Sequence, residues 1–220
     1  GAAGGPFPKQ IERLIERELI DRHAPRQGPD RASQPERIIF RRRIKADAAA
    51  AASELTTFLL TSAVVGEGKS LTAVNLSITV ARMFNQRVLL IDGNLRHPSI
   101  HGFLGLTPGQ GLSDLLQGNA SAGQVILKTD LHNLFVVAAG SPVETPAALL
   151  NTRRMTDFLT LARGQFDWVF LDASALIPDP EAELLSSFVD GIVLIAGAQT
   201  QPPAILEAAG LLRGKRILGV

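Results

Sequence analysis

The chain has 220 residues, of which 45% are hydrophobic and 20% are charged, and this suits one well-packed domain with a short additional segment. It has no cysteine, which excludes disulfides, thiolate metal sites and a cysteine nucleophile. No apolar run reaches the ~18–20 residues of a membrane span, and no secretory signal is recognisable. We therefore expect a cytoplasmic protein.

The first 45 residues are basic, although the whole chain has a formal net charge of only +1. They carry 11 Lys or Arg against 6 Asp or Glu, a net +5, whereas the remainder carries 11 against 15, a net −4. A basic segment can bind nucleic acid, anionic lipid or an acidic protein surface, or it can simply be solvated. No aromatic or recognition-helix pattern accompanies it, so the sequence does not favour nucleic acid as a partner.

Residues 1–35 are predicted to form an amphipathic helix followed by a flexible linker. Apolar residues in PKQIERLIERELID recur at helical spacing between charged ones, which indicates a helix over roughly residues 8–22. The stretch that follows is rich in Pro, Gly, Asp and Ser, which is typical of a linker.

Residues 36–220 are predicted to form one domain. After a helical segment at 36–52, short apolar strands alternate with amphipathic helices, and this predicts an α/β fold: a doubly wound, mostly parallel sheet with helices on both faces. The predicted strands read TFLLTS, RVLLID, NLFVVAA, DWVFLD, GIVLIAG and RILGV. The main predicted helices between them cover 69–84, 145–164 and 203–214.

The segment AVVGEGKS, residues 63–70, separates the first of these strands from a long helix. It fits the phosphate-binding spacing G-x-x-x-x-G-K-[ST], with Ala63 in place of the first glycine. In such a loop the backbone N–H groups point at phosphate oxygens, the lysine reaches the β- and γ-phosphates, and the serine hydroxyl ligates Mg²⁺. A glycine-rich turn without a ligand is the structural alternative. The predicted nucleotide-binding residues are Gly66, Glu67, Gly68, Lys69, Ser70 and Leu71.

Two predicted strands end in aspartate, namely Asp92 in VLLID and Asp172 in WVFLD. In a parallel sheet all carboxyl ends lie at one edge, which is also the edge of the glycine loop. Because Mg²⁺ prefers oxygen ligands, we predict a metal site formed by Ser70, Asp92 and Asp172. Lys69, Asp92 and Asp172 are the candidate catalytic residues. Each aspartate alone could instead be an ordinary residue of a turn at a strand end.

These motifs follow one another in an order that is typical of one family. The glycine loop is followed, after a helix, by a strand that ends D-x-x-x-R at Asp92 to Arg96. The segments GLSDLLQGNAS, AAGSPVETPAALLNTRRM and FDWVFLDAS come next. In this series, residues 36–220 resemble the bacterial tyrosine kinases (BY-kinases) of capsule and exopolysaccharide export, a branch of the MinD/ParA-like P-loop ATPases.

The resemblance implies a doubly wound domain that binds ATP or ADP with Mg²⁺ and often assembles into homo-oligomeric rings. It also implies a transmembrane partner, a polysaccharide co-polymerase that regulates chain length. The chain would then lie at the inner face of the membrane. Members of the family autophosphorylate a cluster of C-terminal tyrosines. The family pattern continues past ILGV, so a C-terminal truncation is one interpretation of the domain end at residue 220.

The departures from the family pattern affect chemistry more than binding. Asn94 stands where the family's D-x-D-x-R has its second acid, and an amide can neither take up a proton nor carry charge to a metal. Ser174 and Ala175 replace two prolines of a D-T-P-P motif, and Val65 replaces a proline before G-E-G. The sequence contains no tyrosine, so tyrosine autophosphorylation is impossible in this chain.

Two functions remain open at this point. The chain could be an active phosphotransferase or ATPase, in which Asp92 orients or deprotonates the attacking group and the acceptor lies on another chain. It could equally be a degenerate regulator whose ATP-bound shape controls an export partner. A ParA-like partition or positioning ATPase is a more distant alternative. The resemblance places Arg96 at the site, whereas His97 and His101 have the spacing of metal ligands on a helix but lack a third ligand.

Overall fold

The strands form a single seven-stranded sheet in the computed structural model, which describes residues 55–107 and 109–219. The predicted N-terminal helix, the linker and the helical segment at 36–52 lie outside the described residues, and the domain boundary at residue 35 stays a prediction. The strands are β1 (Thr57–Ser62), β2 (Val88–Asp92), β3 (Leu127–Lys128), β4 (Leu134–Val137), β5 (Trp168–Ala175), β6 (Gly191–Ile195) and β7 (Ile217–Gly219).

The sheet has the strand order β3-β4-β2-β5-β1-β6-β7. All of its neighbouring pairs are parallel except β3 and β4, which are antiparallel. The predicted fold class, a doubly wound and mostly parallel α/β sheet, is therefore confirmed. Six strands are those that the sequence predicts. The seventh, β3, has only two residues, which are too few to show a period in the sequence.

Eight α-helices lie in the described residues, together with a 3₁₀ turn at Ser186–Phe188. The single helix predicted over 145–164 is wrong, because the chain extends at Thr152 (φ −122°, ψ 157°) and the Thr152 hydroxyl donates to the Leu149 carbonyl at 3.0 Å. A threonine side chain that bonds the local backbone competes with helix continuation. The helices are α1 (Lys69–Phe84), α2 (Ile100–Phe103), α3 (Leu112–Gln117), α4 (Ala122–Val125), α5 (Pro146–Leu150), α6 (Arg153–Gln165), α7 (Glu181–Leu185) and α8 (Pro202–Leu211).

The central strands are mostly apolar because both faces of the sheet are covered, and their polar residues lie mainly towards the strand ends. Every residue of β1 and β2 is buried. Leu59 and Leu89 belong to the same hydrophobic core as Phe158 of α6. Trp168, at the start of β5, is half-buried and stacks on Phe58 with ring centroids 5.1 Å apart.

The carboxyl ends of the parallel strands bring the predicted motifs to one edge of the sheet. β1 pairs with β5 on one side and with β6 on the other, so the loop after β1 lies between the loops that follow those strands. Asp92 and Asp172 are register partners on β2 and β5. Directly after them, the Gly93 N–H donates to the Asp172 carbonyl at 2.8 Å. Across residues 55–107 and 109–219, none of the helices has the length and apolar character needed to span a bilayer.

Candidate functional site

The loop between β1 and α1 depends on two glycines in the left-handed backbone region. Gly66 has φ 89° and Gly68 has φ 80°, and a Cβ built on either would meet nothing within 4 Å. The backbone conformation, rather than crowding, therefore requires glycine at both positions. The Thr72 N–H donates to the Gly68 carbonyl at 2.9 Å as α1 begins. The N–H groups of the first helical turn, which have no partners within the helix, thus lie next to the loop.

The Glu67 side chain connects this loop to the loop after β6. Its carboxylate accepts hydrogen bonds from the N–H of Val64 at 2.9 Å and of Gly197 at 3.0 Å, and from the Thr200 hydroxyl. Burial raises the pKa of Glu67, but these hydrogen bonds outweigh it and hold the pKa below its ordinary value. Sequence reasoning missed Gly197 and Thr200, which lie 130 and 133 residues further along the chain.

Lys69 and Ser70 are the first two residues of α1, with only 8% and 9% of their surface exposed. Within the described part of the chain, Lys69 takes part in no ion pair of 4.0 Å or less. A nearly buried ammonium group without such a partner favours an incoming anion. Leu71 follows in the same turn with its side chain 38% exposed. The structure therefore places the predicted loop residues together at a helix start.

Asp172 is fully buried, and neither of its carboxylate oxygens has a hydrogen-bond partner among the described residues. Burial raises the pKa of Asp172 to about 7, and the negative charge of Asp92 adds to the rise, while the nearby Ser70 hydroxyl and Lys69 ammonium partly oppose it. Native structures rarely leave a buried carboxylate unpartnered. This orphaned group is consequently the strongest sign of a missing ligand at this edge.

Asp92 is also fully buried, but its oxygens are occupied by the loop that follows β2. One oxygen accepts the Ser99 and Ile100 N–H groups, both at 3.1 Å, and the other accepts the Asn94 N–H at 3.3 Å. Burial raises the pKa of Asp92 to about 6, although these three hydrogen bonds oppose the rise. Asp92 therefore shapes this loop in addition to the metal-binding role that the sequence predicts.

Asn94 and Arg96 both have structural partners in the loop after β2. The Asn94 Oδ1 accepts the His97 N–H at 3.1 Å, and the Asn94 side chain is only 6% exposed. Arg96 donates to the buried Glu181 at 2.6 Å and lies 3.6 Å from Asp179. The second oxygen of Glu181 is buried without a hydrogen-bond partner among the described residues. Arg96 thus ties the loop after β2 to the loop after β5.

The residues at this edge fit a nucleotide with a divalent cation. Two buried carboxylates lie on neighbouring strands, and burial raises the pKa of both, with the charge of Asp92 adding to the rise at Asp172. A bound cation would favour their ionised forms. The two Asp172 oxygens have no hydrogen-bond partner within 3.5 Å among the described residues, the Ser70 hydroxyl lies near enough to lower the Asp172 pKa, and Asp92 is on the adjacent strand. No cluster of three or more His, Cys, Asp or Glu residues in the described ranges could hold a metal, so the structure gives His97 and His101 no third ligand. The assignments of individual site residues stay predictions.

The comparison with models of known families finds no match, but individual proteins match well. The chain is 30% identical to tyrosine-protein kinase CpsD of Streptococcus pneumoniae over 171 residues, which is 76% of this chain and 75% of that protein. The chain belongs to the bacterial tyrosine kinase family. It is also 32% identical to tyrosine-protein kinase YwqD of Bacillus subtilis over 142 residues, 64% of this chain but only 60% of that BY-kinase.

Solved structures agree with the BY-kinase assignment at the level of the fold. The kinase domain of the Escherichia coli tyrosine kinase ETK matches with a TM-score of 0.76 and 22% identity, covering 92% of this chain and 84% of that one. The septum site-determining protein MinD of Pyrococcus horikoshii, complexed with Mg-ADP, matches with a TM-score of 0.63 and 20% identity over 74% of this chain and 67% of that one. The predicted resemblance to BY-kinases and, in fold, to MinD-like ATPases is therefore confirmed.

Proposed function

We propose that this BY-kinase-family chain binds ATP or ADP with Mg²⁺ and acts in exopolysaccharide or capsule biosynthesis and export. The observation that supports the proposal most strongly is the unpartnered, buried Asp172 carboxylate beside Lys69 and Ser70. In this proposal the chain works in the cytoplasm, at the inner face of the membrane. A transmembrane polysaccharide co-polymerase holds it there, and copies of the chain assemble into a homo-oligomer.

Each part of the loop has one task in this proposal. The N–H groups of residues 66–71 bind phosphate oxygens, and the Lys69 ammonium offsets phosphate charge. Ser70, Asp92 and Asp172 hold Mg²⁺, which neutralises charge on the phosphates when it is bound. The proposed catalytic residues are Lys69, Asp92 and Asp172, which would support phosphoryl transfer.

A regulator that binds ATP and turns it over slowly is the form of this function that we favour. Asn94 removes one carboxylate from the loop after β2, and its amide oxygen is already bonded to the His97 N–H at 3.1 Å. Residues 1–220 contain no tyrosine, so no acceptor of the kind that the family uses lies within them. The ATP-bound shape, rather than phosphate transfer, would then control the export partner.

An active kinase or ATPase that phosphorylates another chain is the second candidate. It is favoured by the glycine loop with its Lys69 and Ser70, and by the two strand-end carboxylates, Asp92 and Asp172, which are register partners on β2 and β5. The structural likeness to MinD keeps a positioning ATPase as a more distant alternative.

The test pairs ATP affinity with ATP turnover on the purified chain. Lys69→Ala is expected to weaken ATP binding by on the order of 2–3 kcal/mol, as the loss of a charge-assisted bond would. Lys128→Ala, at an exposed lysine on β3, is the matched control and should bind normally. If calorimetry detects no binding of ATP·Mg²⁺ to the wild type, the proposed function is wrong.

Turnover decides between regulator and enzyme. Asn94→Asp should raise hydrolysis by at least about tenfold, the low end of the contribution of a positioned acid–base group. Asn119→Asp, at an exposed position, adds the same charge elsewhere and should change nothing. A wild-type rate of ~1 per second or more, unchanged by Asn94→Asp, would instead establish the active enzyme.

A further inference from the structure

Glu67 lies in the phosphate loop but directs its carboxylate at another part of the chain. One oxygen accepts the Val64 N–H of its own loop, and the other accepts the Gly197 N–H and the Thr200 hydroxyl. Both oxygens are thus engaged with protein groups. The Glu67 carboxylate therefore has its partners within the protein, whereas the Lys69 ammonium group has no ion-pair partner within the described residues.

The segment that Glu67 holds, residues 197–201, is the turn that leads into α8. The Thr200 N–H donates to the Gly197 carbonyl at 3.0 Å, which closes the turn. Gln201 is the N-cap residue of α8, and the Ala204 N–H donates to its carbonyl at 3.0 Å. Because β6 pairs directly with β1, this turn lies beside the phosphate loop at the same sheet edge. Only one hydrogen-bonded turn therefore separates the residues that Glu67 contacts from the start of α8.

Only a carboxylate satisfies all three donors at once. A glutamine could accept the Gly197 and Thr200 bonds through its single oxygen, but its NH₂ group would then face the Val64 N–H, which is also a donor. Since the hydrogen bonds hold the pKa of Glu67 below its ordinary value against the effect of burial, the group is ionised at neutral pH. Hydrogen bonds to an ionised acceptor are the stronger kind.

We propose that Glu67 is a positioning residue that couples the phosphate loop to residues 197–201 and the start of α8. Nucleotide phosphates that fix the backbone around Gly66 and Gly68 would also fix Glu67, and through it the turn at Thr200. The inference rests on the proposed function, because it takes the nucleotide as the ligand of the loop. Glu67 would thus be the contact through which a bound nucleotide affects α8, a helix outside the loop.

Hydrogen–deuterium exchange with ADP·Mg²⁺ as the probe tests the coupling. In the wild type, ADP·Mg²⁺ should slow amide exchange both at residues 66–72 and at residues 197–204. Thr200→Val removes the hydroxyl donor, so it should retain protection at 66–72 while exchange at 197–204 in the complex becomes roughly tenfold faster, the scale of one hydrogen bond to a charged group. Thr200→Ser retains the hydroxyl and should behave as the wild type. Amides of α3 serve as an internal reference for global stability.

The outcomes separate this inference from the function on which it rests. If ADP·Mg²⁺ protects neither segment of the wild type, nucleotide binding itself is refuted. Protection at 66–72 with no change at 197–204 would overturn the coupling while leaving nucleotide binding intact. Equal exchange at 197–204 in Thr200→Val and Thr200→Ser would overturn it as well.

Discussion

Replacing Asp172 with asparagine is expected to stabilise the ligand-free protein while removing the Mg²⁺ dependence of nucleotide binding. Both carboxylate oxygens of Asp172 are buried without a hydrogen-bond partner among the described residues. The ionised group therefore destabilises the folded state, since unfolding returns its charge to water. In a cation-binding site, such a carboxylate destabilises the folded state whenever the cation is absent.

The pKa of Asp172 sets the size of the effect. Burial, opposed by Ser70 and Lys69 and aided by the charge of Asp92, raises this pKa from 3.8 to about 7. A pKa difference of that size corresponds to about 4 kcal/mol of unfolding free energy once the group is ionised in both states. The buried amide of an asparagine would itself lack partners, which costs about 1–3 kcal/mol. We expect a net gain on the order of 2 kcal/mol at pH 8, or about 4–8 °C in Tm.

Thermal unfolding of the ligand-free protein at pH 8 measures this gain, with Asp114→Asn as a matched control. Asp114 is also buried, but its carboxylate accepts the N–H groups of Gly111 and Ser141 and the Ser141 hydroxyl, at 2.8, 3.1 and 2.7 Å. Burial raises the pKa of Asp114, yet these bonds bring it below its ordinary value. Asp114→Asn should therefore lower stability by about 1–3 kcal/mol, the opposite sign.

Loss of stability in both variants would contradict this expectation. It would show that Asp172 is held by favourable contacts like those of Asp114 and that its carboxylate does not await a cation. A second readout is the Tm increase on adding ADP·Mg²⁺, which should be smaller in Asp172→Asn than in the wild type, because a ligand stabilises only the state that binds it.

Three further predictions test the same edge of the sheet. The folded-state pKa of Asp172 is raised above 3.8, so the folded wild type binds the proton more tightly, and its stability relative to Asp172→Asn should fall as pH rises from about 4 to about 7; a constant difference would contradict this. Gly93→Ala should cost about 1–3 kcal/mol in urea unfolding, because a Cβ there would lie 2.8 Å from the Asp172 carbonyl, while Gly102→Ala, with open space around it, should cost little. EDTA should weaken ATP binding in calorimetry, and equal affinity with and without Mg²⁺ would count against Ser70, Asp92 and Asp172 as metal ligands.

The fold and the placement of the candidate site residues at one sheet edge were predictable because their signals are local. Apolar strands of five or six residues, each followed by a loop or a long helix, show their period in the sequence, and α1 has the bounds predicted for it. The parallel arrangement then brings Asp92 and Asp172 together without any further information. The break between α5 and α6 is also local, since the Thr152 hydroxyl donates to the Leu149 carbonyl and so competes with helix continuation.

The contacts that complete the site were not predictable because they join distant parts of the chain. Glu67 and Thr200 are 133 residues apart, and Arg96 and Glu181 are 85 apart. No period or motif spacing encodes such a pair, which exists only once the sheet has aligned its loops. The hydrogen-bond partners of Asp92 were not predictable either. Its position at a strand end suggested a metal ligand, but backbone N–H groups of the folded loop after β2 occupy its oxygens.

With asparagine at position 94, the loop after β2 retains its turn but lacks one negative charge. The Asn94 Oδ1 accepts the His97 N–H at 3.1 Å, a hydrogen bond that an aspartate would also accept, so the amide retains the turn after β2. It removes a negative charge from beside two carboxylates whose pKa values burial already raises to about 6 and about 7. The ligand-free site then suffers less repulsion and attracts a cation less strongly. A protein that only changes shape with its nucleotide can tolerate this exchange, whereas rapid phosphoryl transfer depends on charge held at the metal. Binding with little turnover is therefore the behaviour that this substitution favours.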